Sequence, residues 1–160
     1  MKVPVTAAVR FLRSKGVDFT PHIFDYVEKG GTAHSADALG VDEHSVIKTL
    51  IFETSEGKPV AVLMHGDREV SEKNLARHLC VKSVAPASAD KAGRWTGYVF
   101  GGTSPFGLRT AMPIFAEETI FDLNKIYING GKRGFLVEMD PAPLKAILEV
   151  ETVAVGISRA

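Results

Sequence analysis

A lysine inside an apolar run is the first residue of this sequence with chemistry to offer. Val46-Ile47-Lys48-Thr49-Leu50-Ile51-Phe52 reads as a strand. Strand side chains alternate between faces, so Lys48 shares a face with Val46, Leu50 and Phe52, while Ile47, Thr49 and Ile51 share the other. An ammonium among large apolar neighbours is costly unless it meets an anion or a polar cavity. Two readings are open on the pattern alone. Lys48 extends its flexible stem to water, or it anchors a substrate phosphate or carbonyl.

Gly101-Gly102-Thr103-Ser104-Pro105-Phe106-Gly107 is the second feature. Three glycines let a backbone approach a ligand closely, and successive N–H groups can form a nest for an anion or a developing oxyanion. A tight structural turn is the plainer reading. The loop is not a phosphate-binding Walker loop, because no Gly-Lys-Ser/Thr sits at the required spacing. It is not a nucleophile elbow either, since Pro105 follows Ser104 and the next glycine falls one place too late. Ser104 therefore suits a hydrogen bond rather than covalent attack. Gly130-Gly131-Lys132-Arg133-Gly134 is a third candidate: a plain hairpin with exposed cations, or a place where Lys132 and Arg133 meet a nucleic-acid backbone.

The five histidines, at 22, 34, 44, 65 and 78, form no His-x-x-x-His pair, and Cys80 has no second cysteine, so neither a metal nor a cofactor is expected. Asp42-Glu43-His44 precedes the Lys48 strand, but its spacing specifies nothing. Cys80 lies between Leu79 and Val81, which favours a buried structural thiol. Local basic groups stand out: Lys73, Arg77, His78 and Lys82 on and after one helix, and Arg94, Arg109, Lys132 and Arg133 around the glycine loops. A solvated face explains each group, and so would an RNA end docked through its phosphates.

These residues need a scaffold, and composition bounds it. The chain has 160 residues, 19 basic and 19 acidic, for a net charge of zero, and is 45% hydrophobic. That is ordinary globular composition, enough for one domain over residues 1–160 with a full core. A single cysteine excludes a disulfide scaffold and fits the reducing cytoplasm. No apolar run approaches bilayer length and the N-terminus lacks a secretory stretch, so no membrane is expected. Zero net charge argues against a polyanion-coating protein, and DNA is not expected as a partner.

Apolar periodicity, caps and glycines predict helices over residues 4–15, 32–39, 71–79 and 88–94, and a last one opening at Asp140-Pro141. Strands are predicted over 19–26, 46–53, 60–64, 81–85, 98–100, 113–115, 125–129 and 135–139, with 150–158 a strand or loose tail. Short strands with helices scattered between them indicate an α/β or α+β fold with a mixed, curved sheet.

Three segments taken in order resemble the YbaK/EbsC family, freestanding relatives of the editing domain inserted in bacterial prolyl-tRNA synthetase. They are Val46 to Leu50, then Thr96-Gly97-Tyr98-Val99-Phe100 running into Gly101–Gly107, then Ile126-Tyr127-Ile128-Asn129 running into Gly130–Gly134. The resemblance covers about residues 5–149. It implies a barrel-like mixed sheet surrounded by helices. It also implies hydrolysis of the ester of mischarged aminoacyl-tRNA in trans, of the Cys-tRNA(Pro) deacylase type. The acceptor end of the tRNA would be the partner, with a synthetase such as prolyl-tRNA synthetase a candidate second one. The family's essential lysine matches Lys48, and its glycine loop matches Gly101, Gly102, Thr103, Ser104, Pro105, Phe106 and Gly107. Two positions depart from cysteine-clearing members: Phe24 stands where they carry Tyr, and Leu136 where they carry an acidic residue. Relatives that clear Ser, Thr or Ala are the alternatives. Phe24, Thr32, His34 and Ser35 are then candidate contacts to the amino acid, and Gly130, Gly131, Lys132 and Arg133 to the RNA. A non-catalytic module that binds a tRNA end or a synthetase is the competing class.

Overall fold

The computed structural model describes residues 2–159. In chain order the elements are α1 (Ala7–Ser14), β1 (Thr20–Ile23), α2 (Gly31–Leu39), β2 (Val46–Thr54), β3 (Pro59–His65), β4 (Arg68–Val70), α3 (Glu72–Leu79), β5 (Val84–Pro86), α4 (Ala89–Thr96), β6 (Ile114–Glu117), β7 (Ile126–Lys132), β8 (Phe135–Met139), α5 (Leu144–Leu148), β9 (Glu151–Val153) and β10 (Gly156–Ser158). Short 3-10 turns occupy Glu43–Ser45 and Glu118–Asp122. The fold is mixed α+β. Its main sheet runs β1-β8-β7-β2-β3-β6-β9, with β5 also paired to β2, and β4 and β10 form a separate ladder. The pairs β2–β7, β3–β6 and β6–β9 are parallel. The pairs β1–β8, β2–β3, β2–β5 and β7–β8 are antiparallel.

Alternation along β2 gives the sheet two differently covered faces. On the first, Ile47 and Ile51 join Leu63, Ile126, Ile128, Phe135 and Val137 beneath Val9 and Leu12 of α1, with Phe106 closing the cluster. On the second, Phe52, Val62 and Met64 pack under Leu75 and Ala76 of α3, with Leu50 at the margin. Val46 and Leu136 pack on the same face under Ala36 of α2, flanked by Phe24 and Tyr127. Lys48 thus lies between the patch roofed by α2 and the patch roofed by α3.

Several elements differ from the sequence expectation. α1 starts at Ala7 because Thr6 caps it, accepting from the Val9 N–H at 3.0 Å. Val5 stays outside the helix and exposed. Residues 98–100 form no strand: the Gly102 N–H donates to the Val99 carbonyl at 2.9 Å and turns the chain there. β7 does not stop at residue 129 but continues through Gly130 and Gly131 to Lys132, with the register shifted between Asn129 and Lys132. β1 and β5 are shorter than the pattern predicts, and β4 is a further strand that it does not predict. The last helix opens at Leu144, although the Asp140 carboxylate does accept the Ala142 N–H at 2.9 Å. Cys80 is exposed rather than buried, since it terminates α3 in a left-handed conformation (φ 57°).

Candidate active site

Lys48 is half-buried on the second face, paired in register with the fully buried Met64. Its Nζ donates to the Gly66 carbonyl at 3.4 Å, and it forms no salt bridge with a described residue. Burial, reinforced by the nearby Arg159 guanidinium, pulls its pKa below the ordinary lysine value, while Glu69, Glu43 and Asp67 act the other way. An ammonium held on an apolar face by one neutral carbonyl retains donor capacity for an anion.

The same carbonyl joins Lys48 to a polar chain. Thr32, in the first turn of α2, donates its hydroxyl toward Gly66 O (3.1 Å) and Glu43 Oε2 (2.7 Å). Glu43 in turn accepts both guanidinium nitrogens of Arg159, at 3.0 Å each. Burial alone would raise the Glu43 carboxyl, but these donors outweigh it and hold it low. Gly66 is required by close packing: a Cβ there would lie 2.8 Å from the Glu43 carbonyl and 2.7 Å from the Thr32 side chain. The turn also carries a histidine stack. His44 and His65 lie face to face at 3.7 Å, with His44 Nδ1 2.9 Å from the Asp67 carboxylate. His65 is fully buried between the His44 carbonyl and Thr119 Oγ1, 2.7 Å from each. Burial pushes the His65 pKa down, so it stays neutral.

The two glycine segments fit together by backbone contact. A Cβ on Gly102 would stand 2.9 Å from the Arg133 nitrogen and 3.1 Å from the Lys132 carbonyl carbon, so the residue must be glycine for the loop to lie on the β7 bulge. Asn129 fastens the two. Its Nδ2 donates to the Gly101 carbonyl at 3.3 Å, and its Oδ1 accepts the N–H groups of Gly131 (2.6 Å) and Lys132 (3.1 Å). The register aligns Val46 with Tyr127, so Lys48 and Asn129, each two residues further along parallel strands, point to the same face. Lys48, Asn129 and Gly101 thereby follow one another across the sheet.

The seven-residue loop itself divides. Gly101 is exposed and Thr103 partly so. Ser104, Pro105 and Phe106 are buried, with Ser104 and Phe106 at 0% exposure. Ser104 Oγ accepts the Phe106 N–H at 3.3 Å, and the Phe106 ring stacks on Phe11 with centroids 6.1 Å apart. Tyr98 donates its hydroxyl to the Phe106 carbonyl, and burial pushes its pKa up to about 12. These side chains hold the loop in place. The Gly102 N–H is already spent on the Val99 carbonyl, whereas those of Gly101 and Thr103 have no backbone partner among the described turn and loop bonds.

Beyond Asn129, on the strand next to β7, Leu136 pairs with Asn129 and belongs with Phe24 to the apolar patch under α2. The His34 ring lies tilted against Phe24 (centroids 5.8 Å apart) with its Nε2 2.8 Å from the Asp25 carbonyl, and Ser35 donates to Gly31 O. Arg109 lies beside Gly97, and Arg94 pairs with Asp90 on α4, so the basic residues around the glycine loops do not all converge. Lys73, Arg77 and Lys82 line an open hollow of about 440 Å³ between α3 and β5, about 20 Å along β2 from Lys48. Glu43, Gly66, Asp67, Asn129 and Arg159 were not singled out as site residues in the sequence. Of these, only Asn129 carried a signal there, as a side-chain acceptor before two glycines.

A model of the aminoacyl-tRNA editing domain matches residues 29–147, which include Lys48 and both glycine segments. The chain belongs to this editing-domain family. It is 28% identical over 143 residues to the Enterococcus faecalis protein named "Putative Cys-tRNA(Pro)/Cys-tRNA(Cys) deacylase EbsC", covering 89% of this chain and 87% of that one. It is 38% identical over 79 residues to the proline–tRNA ligase of Nitratidesulfovibrio vulgaris strain DP4, covering 49% of this chain but 14% of the ligase. Two solved structures share the fold. One, described as hypothetical protein APE2540, has a TM-score of 0.87 at 24% identity over 95% of this chain and all of that one. The other, described as a "putative trans-editing enzyme for prolyl tRNA synthetase", has a TM-score of 0.84 at 18% identity over 99% of this chain and all of its own. No helix among the described residues is long and apolar enough to cross a membrane, and no cluster of three His, Cys, Asp or Glu there is placed to hold a metal.

Proposed function

We propose that this editing domain is a trans-acting aminoacyl-tRNA deacylase, working as one domain in the cytoplasm on the acceptor end of mischarged tRNA. The observation that carries the reading is Lys48: a half-buried ammonium with one neutral partner, on the face where Asn129 and Gly101 follow it. An aminoacyl ester is already activated, so placement, a water molecule and oxyanion stabilisation suffice. Lys48 binds the terminal phosphate or the ester region of the tRNA end. The amides of Gly101 and Thr103 polarise the ester carbonyl. Water adds to the carbonyl carbon, the tetrahedral intermediate expels the ribose oxygen, and that oxygen takes a proton. The neighbouring ribose hydroxyl, or a cysteine substrate's own thiol, relays the proton lost by the water.

The amino acid cleared is small. Phe24 and Leu136 make one wall apolar, which suits cysteine or alanine. The hydroxyl protons of Thr32 and Ser35 are directed to protein acceptors, leaving few donors for serine or threonine. One methylene is worth only about 1–3 kcal/mol, so size alone discriminates weakly. Prolyl-tRNA synthetase is the candidate partner. The test is deacylation of a panel of tRNAs charged with Cys, Ala, Ser, Thr and Pro. Turnover of Cys- or Ala-tRNA with little of Ser-tRNA is expected. No turnover of any member, with tRNA binding retained, would instead identify a non-catalytic tRNA-end module.

A further inference from the structure

Beside the glycine loop lies an exposed apolar patch that the deacylation chemistry does not use. Phe100 is 73% exposed and Val99 62%, unusual for residues adjoining a closely packed turn. Tyr26, 37% exposed, belongs to the same patch: a Cβ on Gly101 would lie 2.7 Å from its hydroxyl. Arg133 ties the patch together. Its guanidinium carbon sits 5.1 Å from the Tyr26 ring centroid, and its Nε donates to the Phe100 carbonyl at 2.8 Å. Lys132 next to it is exposed and has no salt bridge with a described residue. Asp25 and Glu28 are exposed on the segment around Tyr26, together with Lys29. The local balance of these groups with Lys132 and Arg133 is one positive charge.

We infer that Phe100, with Tyr26 and Arg133, is a stacking platform for the unpaired nucleotides immediately 5′ of the esterified one at the tRNA 3′ end. The choice of RNA rests on the deacylase reading. Exposed aromatic faces, an arginine plane and neighbouring cations are what single-stranded RNA recognition requires, because every base has a face to stack and every nucleotide a phosphate to neutralise. Gly101 joins the platform to the proposed oxyanion site by a single peptide bond, so an RNA strand threaded over Phe100 brings its terminal ester to the loop. A second copy of this chain fits less well. A two-fold contact centred here would bring Lys132 and Arg133 toward their own symmetry mates.

The experiment compares wild type, Phe100→Ala and Phe100→Trp in binding to an uncharged RNA hairpin with three unpaired 3′ nucleotides and to the same hairpin blunt-ended. In parallel, kcat/KM is measured on mischarged tRNA and on a 3′-aminoacyl adenosine. Phe100→Ala is expected to weaken overhang binding about tenfold and to raise KM on tRNA, and Trp is expected to restore both. Blunt-hairpin binding, kcat and the mononucleoside ester stay unchanged. Wild-type affinity of Phe100→Ala for the overhang overturns the inference, as does an equal loss on both hairpins. So does light scattering that shows a wild-type dimer split by the substitution. A chain that prefers the overhang through Phe100 yet deacylates nothing keeps the platform and loses the deacylase reading. A chain that deacylates regardless of Phe100 does the reverse.

Discussion

The two halves of the candidate site are built by different physics. Around Lys48, side chains are wired to one another: ammonium and hydroxyl to one carbonyl, hydroxyl to carboxylate, carboxylate to guanidinium. Around Gly101–Gly102, main chain lies on main chain, and Asn129 is the principal side-chain fastener. A wired site tolerates small movements and fails when a charge is removed. A close-packed one keeps its charges under substitution but has no room for a methyl group.

Changes at Lys48 separate the two halves most sharply. Lys48→Ala is expected to lower kcat/KM on mischarged tRNA by about 100-fold or more, and Lys48→Arg also by a large factor, because a planar guanidinium cannot replace a compact ammonium in this position. Urea unfolding should show both variants as stable as wild type, since a half-buried cation without a carboxylate partner adds little to the fold. Near-normal turnover by the alanine variant would remove Lys48 from the mechanism. Gly102→Ala should show the opposite profile. The new methyl meets the Arg133 backbone, costing about 1–3 kcal/mol in urea unfolding, with activity falling only as the loop shifts.

Two predictions sharpen the wired side. Glu43→Ala leaves Thr32 and Arg159 without their shared acceptor, and thermal unfolding should report a loss of about 1 kcal/mol. The buried His65 gives a pH signature. Its folded pKa lies below its unfolded value of about 6.5, so the unfolded chain binds the proton first as pH falls. Stability should therefore decline from about pH 6.5 downward toward the folded pKa. A His65→Gln variant should lose that part of the slope, while the acid-side slopes of Glu43 and Asp67, whose carboxyls are held low, remain at lower pH. The smallest effect is expected at Thr49, whose buried hydroxyl oxygen has no partner among the described residues. Thr49→Val should be neutral or stabilising by a few tenths of a kcal/mol, read from the urea midpoint.

The sequence was most legible where one residue's neighbours decide its fate. β2 reads as a near-continuous apolar run because both its faces are covered, so Lys48 stands out as the odd member. The capping Ser71 and Ser88, each accepting an N–H three residues on, marked α3 and α4 correctly. Residues 98–100 carry strand-forming side chains, yet the following glycines commit them to a turn, a tertiary outcome that β propensity does not encode. Gly130-Gly131 looked like punctuation but lies within β7, because the bulge needs the close approach of Phe135 that only a missing side chain permits. Within the 101–107 loop, the pattern does not distinguish exposed Gly101 and partly exposed Thr103 from buried Ser104 and Phe106. Arg159 was invisible, since its partner Glu43 is 116 residues away.

The exposed Cys80 has a practical consequence. It is the chain's sole thiol, and it ends α3 two residues before Lys82 of the basic hollow. A maleimide dye attached there would leave the proposed chemistry untouched. Its emission could then show whether the body of a bound adaptor crosses the basic hollow beside that helix.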